Sequence, residues 1–97
     1  KGDGTGKGIS FSLSGRKLIR TPQITDQSQE TGKVVVDITV DKDGNVETAI
    51  PGGRGSTTTS AYLFRLAKDA AKKAKFNPSP EGADIQKGTI SFVFLVQ

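Results

Sequence analysis

Asp41, Asp43 and Gly44, inside the stretch VVVDITVDKDGNVETAI from Val34 to Ile50, come closer to a metal site than any other residues of this chain. An EF-hand loop takes oxygen ligands at its first, third, fifth and twelfth positions and bends round the ion at a glycine in the sixth. With Gly44 as the sixth residue, Thr39 is the first and Ile50 the twelfth. Isoleucine has no carboxylate to close the coordination sphere, so a calcium loop is excluded. A hairpin asks for less: Asp43, Gly44 and Asn45 tolerate positive φ between two β-branched runs, which predicts a tight turn.

Two other stretches carry residues that suggest chemistry. GGRGSTTT, Gly52 to Thr59, resembles a phosphate cradle, because glycines before a helix expose N–H groups to an anion. A P-loop needs lysine directly after its last glycine, and Ser56 stands there, so the expected role is a loop with Ser56 or Thr57 capping the helix. Lys68, Lys72, Lys73 and Lys75 make the same helix basic. Without an arginine cluster or exposed stacking aromatics they read as a solvated face, and nucleic acid is not an expected partner.

The composition narrows the classes further. The chain of 97 residues holds no cysteine and no histidine and carries a net charge of +4. It therefore has no disulfide, no thiolate zinc site, no nucleophilic thiol and no imidazole base. No serine sits in a nucleophile motif, so no catalytic residue, metal ligand or cofactor is expected. No window approaches the roughly 20 apolar residues of a membrane span. The first residue is Lys rather than Met, and the chain reads as a piece of a longer protein or a processed product.

The elements that position these residues follow from periodicity. Lys1 to Gly8 has four glycines and no apolar residue and reads as the end of a flexible tether; residues 9–97 form the single domain. Ile9 to Leu13 alternates with period two and predicts a short strand; the segment from Ser14 to Gly32 is read as irregular. From Lys33 to Val40, Val34, Val36, Ile38 and Val40 share one face of a strand, and Val46, Thr48 and Ile50 lie on its partner. The period then changes to about 3.6, with Leu63, Leu66, Ala67, Ala70 and Ala74 on one helical stripe and Pro78 forbidding continuation. Ile90, Phe92, Phe94 and Val96 form one face of a last strand. The expected fold is α+β: an antiparallel three-stranded sheet, β-β-α-β, in the order second, first, third, with the helix on one face and room for a short extra N-terminal strand.

That topology leaves one edge of the last strand open. The residues of this edge, Thr89, Ile90, Ser91, Phe92, Val93, Phe94, Leu95 and Val96, are the candidate site: a long apolar edge either dimerises or captures an extended peptide by β-augmentation. About five main-chain bonds at about 1 kcal/mol each barely offset an association cost of at least about 4 kcal/mol, so capture by the backbone alone is weak. GISFSL at Gly8 to Leu13 echoes TISFVFL at Thr89 to Leu95, which predicts that the first segment pairs with, or competes for, an edge of the sheet.

GKVVVDITVDKDGNV, AYLFRLAKDAAKKAKFNPSP and KGTISFVFLV together resemble the C-terminal domain of TonB, the energy transducer of Gram-negative bacteria, over residues 32–97. The resemblance implies a non-catalytic periplasmic domain tethered to an inner-membrane helix driven by ExbB and ExbD. It implies that the TonB box of an outer-membrane transporter is added beside Thr89 to Val96 and pulled to drive import. Many members carry a Tyr-Pro pair before the first strand, where this chain has TPQITDQ, so contacts from that region do not carry over. A TolA-like envelope scaffold and a strand-edge homodimer are the alternative roles, with a basic nucleic-acid-binding domain behind them.

Overall fold

The computed structural model describes residues 7–13, 15–20, 30–79, 81–82 and 84–94. In chain order its elements are β1 (Lys7–Ser12), β2 (Leu18–Arg20), β3 (Gly32–Asp41), β4 (Val46–Pro51), α1 (Ala61–Lys73), β5 (Lys75–Phe76) and β6 (Ile85–Phe94). Strands β1, β6, β3 and β4 form one sheet in that order, and β2 pairs with β5 in a second, smaller one. All pairings are antiparallel. The fold is α+β with one helix, as expected, and β4, β3 and β6 lie in the expected order. The sheet has four strands rather than three because β1 joins it, and the two-stranded sheet is additional to the expected architecture.

The core lies between α1 and one face of the large sheet. Val34, Val36, Ile38 and Val40 of β3 and Ile90, Phe92 and Phe94 of β6 are buried there, against Leu63, Ala67, Ala70 and Ala71 of the helix and Ala74 just beyond it. Alanines on the inner stripe let the helix backbone approach the sheet closely. Leu66, at the margin of the stripe, is only partly buried. A β-bulge where Thr39 pairs with Thr48 and Val40 with Val46 makes Glu47 an extra residue in β4. The bulge reverses parity along β4: Val46 and Ala49 pack against the core, while Ile50 remains 64% exposed.

The helix is shorter than its periodic stretch. Ser60, not Ser56 or Thr57, is the N-cap and accepts a bond from the Leu63 N–H. At its other end the chain leaves the helix at Ala74, which has extended ψ, well before Pro78. Phe76 continues the apolar stripe but is buried as a residue of β5.

The hairpin turn joins β3 to β4, and its tip rests on β5. The Asp41 side chain accepts from the N–H groups of Asp43 (3.0 Å) and Asn45 (2.9 Å), and the Asp41 carbonyl accepts from Gly44. Gly44 alone in this turn has positive φ, +91°; Asp43 and Asn45 do not need it. The Gly44 carbonyl accepts from the Phe76 N–H at 2.9 Å, and a Cβ on residue 44 would stand 1.9 Å from the Phe76 carbonyl oxygen. Lys75 donates from Nζ to the Asp43 carbonyl and to Asn45 Oδ1, both at 2.8 Å.

The turn makes two outcomes testable. Gly44→Ala combines a disfavoured φ with a backbone collision and should lower stability by about 3 kcal/mol or more in urea unfolding; an unchanged midpoint would contradict the close approach. The Asn45 N–H, foremost, holds the Asp41 carboxyl below its ordinary value of 3.8; desolvation opposes this, and the Asp43 N–H, the Asn45 side chain and the Lys75 charge add to it. A depressed folded value means that the carboxylate's contribution to stability is complete above pH 3.8 and is lost as pH falls through the folded value. Carboxyl NMR should show Asp41 titrating below the ordinary Asp range, and Asp41→Asn should remove that part of the acid sensitivity.

Candidate functional site

Thr89, Ile90, Ser91, Phe92, Val93 and Phe94 all lie in β6; Leu95 and Val96 fall outside the described residues. The edge expected to be open is occupied. β1 runs antiparallel along it, with Lys7 opposite Phe94, Gly8 opposite Val93, Ile9 opposite Phe92, Ser10 opposite Ser91, Phe11 opposite Ile90 and Ser12 opposite Thr89. On its other side β6 pairs with β3 from Gly32 opposite Phe94 to Asp41 opposite Ile85. β6 is therefore an interior strand, and the pairing half of the expectation for GISFSL is met. The outer positions of the sheet belong to β1 and β4.

β1 is seated by alternation. Ile9 and Phe11 stand opposite the core residues Phe92 and Ile90, so they point to the helix side; Ser10 and Ser12 point to the other and are exposed. Ile9 packs against the core, and the Phe11 ring meets the edge of Phe76 at a centroid distance of 5.4 Å. Phe11 nonetheless remains 38% exposed.

The arm after β1 is anchored by a residue that periodicity does not reveal. Arg16 is 6% exposed and donates from Nη1 to the Asn77 carbonyl (3.1 Å) and from Nη2 to the Asp41 carbonyl (3.0 Å). The Lys17 N–H donates to Asn77 Oδ1 at 2.6 Å, and the Asn77 N–H donates back to the Lys17 carbonyl at 3.0 Å. A buried charge is tolerated where its donors are satisfied, and these bonds tie the arm to the hairpin turn and to the segment after β5. Leu13, also buried, adds an apolar anchor.

The GGRGSTTT stretch takes the place of an edge strand. Beyond Pro51 the Gly53 N–H donates to the Val35 carbonyl and the Thr57 N–H to the Lys33 carbonyl, both at 2.8 Å. Ser56 Oγ and Thr57 Oγ1 accept from the N–H groups of Val35 (2.9 Å) and Lys33 (2.8 Å). Both hydroxyls are taken up by β3, which is why the helix cap falls to Ser60. With the Ser56 N–H bonded to the Gly53 carbonyl, three of the amides that an anion would use already have partners. Lys68, Lys72 and Lys73 are exposed, whereas Lys75 holds the hairpin turn rather than extending the basic face.

The face of the sheet away from the helix carries a shallow depression of about 490 Å³, lined by Asp37, Thr39, Thr48, Ile50, Lys87, Gly88 and Thr89. Thr39 and Thr48 share a hydroxyl–hydroxyl bond of 2.7 Å there. Strict alternation along the chain does not reveal it, since the β4 bulge is what turns Thr48 and Ile50 outward. Among the described residues no group of three acidic side chains is placed to hold a metal ion, and no helix is long and apolar enough to cross a membrane. In comparisons with known proteins the chain matches no family model, no curated protein and no solved structure.

Proposed function

We propose that this chain is a non-catalytic, peptide-capturing adaptor of the TonB C-terminal kind. It works in the periplasm and couples an inner-membrane motor of the ExbB and ExbD type to outer-membrane transporters by binding their TonB boxes as added strands. The observation that carries the reading is the β3–β4–α1–β6 unit, in which the last strand is long, apolar on its inner face and paired throughout with β3. The unit embodies the three stretches that resemble the TonB domain: the DG hairpin, the alanine-rich basic helix ending at KFNP, and the final strand. A domain with no histidine and no cysteine, in which Ser56 supports β3 and Ser60 caps the helix, suits binding better than catalysis.

Extended peptides from the N-termini of outer-membrane transporters, titrated into isotope-labelled protein, test the reading. The expected result is saturable amide shifts along β6 and β1, nearly unchanged between low and moderate salt. Absence of binding to every such peptide would contradict the proposal. Affinity for nucleic acid that falls steeply with salt would replace it with the basic-domain reading, and binding confined to TolA-type partners with the envelope scaffold.

A further inference from the structure

An adaptor that binds peptides on β6 has to admit a foreign strand to an edge on which β1 already lies. Resting on the adaptor reading, we infer that β1 is a built-in, displaceable occupant of the docking edge, and that its seats define the ligand. The ligand is an extended segment running antiparallel to β6, with apolar side chains two residues apart and small or polar residues between them.

Three features carry this. First, the arm is anchored downstream of β1, by Leu13 in the core, by Arg16 on two carbonyls and by β2 on β5. β1 can leave without loosening those anchors. Second, β6 does not need β1 for its own order, because β3 pairs with it from end to end and its core face is held by the helix side. β1 contributes six residues, of which Ser10, Phe11 and Ser12 are exposed. Such a strand sits at the low-stability end of a sheet and opens locally.

Third, Gly88 makes room for the end of the strand that lies on β6 and for its exit through Leu13. A Cβ at this position would stand 2.5 Å from the Ser12 carbonyl oxygen and 2.5 Å from Leu13 Cδ1. The positions that a ligand strand would pair with, Thr89 to Phe94, lie beyond it. A side chain at 88 would collide with any strand that carries residues in the places of Ser12 and Leu13, so a ligand as long as the arm shares that seat. The seats themselves are the positions opposite Phe92 and Ile90, where Ile9 packs on the core and Phe11 meets Phe76. Apparent affinity for a competing strand falls by the fraction of molecules in which β1 is open, so anything that opens β1 raises affinity by the same factor.

The absence of cysteine allows a clean test. Ser10 and Ser91 are direct cross-strand partners, so Ser10→Cys with Ser91→Cys places two thiols that can lock β1 in place. The probe is a synthetic peptide of residues 7–13, KGISFSL, with a control in which its apolar and serine positions are exchanged. The reduced double variant should bind KGISFSL through β6, the oxidised form at least about tenfold more weakly, and Ile9→Ser, which weakens the resident strand and leaves β6 unchanged, about tenfold more tightly than the parent. The control peptide should bind weakly in every form.

Equal binding by the oxidised and reduced forms would overturn the inference, as would equal binding of the control or no binding of KGISFSL to any form. Self-association of the reduced but not the oxidised protein in sedimentation would make a second copy the occupant, and would also overturn it. The two readings fail separately. Transporter peptides that bind locked and unlocked protein alike sink displacement and spare the adaptor role. KGISFSL exchange without any transporter binding does the reverse.

Discussion

A strand hydrogen-bonded along both edges has no backbone capacity left to offer, and from Thr89 to Phe94 β6 is in that position between β1 and β3. The rest of the structure depends on which of those two partners is indispensable. β3 and β6 share a long register and face the same helix, so the core of Val34, Val36, Ile38, Ile90, Phe92 and Phe94 exists only while they are paired. β1 adds Ile9 and Phe11 at the margin of that core and covers an edge that would otherwise be an aggregation hazard. One pairing builds the domain; the other protects it.

Much of this is legible in the residues. The period-two runs at Val34 to Val40 and Ile90 to Phe94 become the inner faces of β3 and β6, and Leu63, Ala67 and Ala70 become the buried stripe of the helix, with Ala74 buried just beyond its end. The Asp-Gly turn and the strand order follow from local chemistry and connection lengths. Even the echo between GISFSL and TISFVFL marks two strands that lie side by side. The alternation of β1 does not say which edge it occupies, because six residues with two half-exposed apolar side chains fit either side of the sheet.

What stays hidden depends on partners distant in the chain. β2 and β5 have three and two residues, too few for any period to register, and each is a strand only because the other is beside it. Local sequence puts the helix start too early because the hydroxyls of Ser56 and Thr57 answer the unpaired N–H groups of β3, more than twenty residues away in sequence, leaving the cap to Ser60. The bulge at Glu47 inverts the faces of β4. Arg16 falls in the stretch read as irregular, and its burial is set by carbonyls at Asp41 and Asn77 that come together only in the folded chain.

If β6 has one permanent neighbour and one removable one, native-state hydrogen exchange on the unaltered protein reads the difference directly. Amides bridging β3 and β6 should exchange only with global unfolding, while amides bridging β1 and β6 should exchange at least about tenfold faster, through local opening that leaves the β3 ladder intact. Equal protection on the two sides of β6 would make β1 a fixed part of the core sheet and contradict the account.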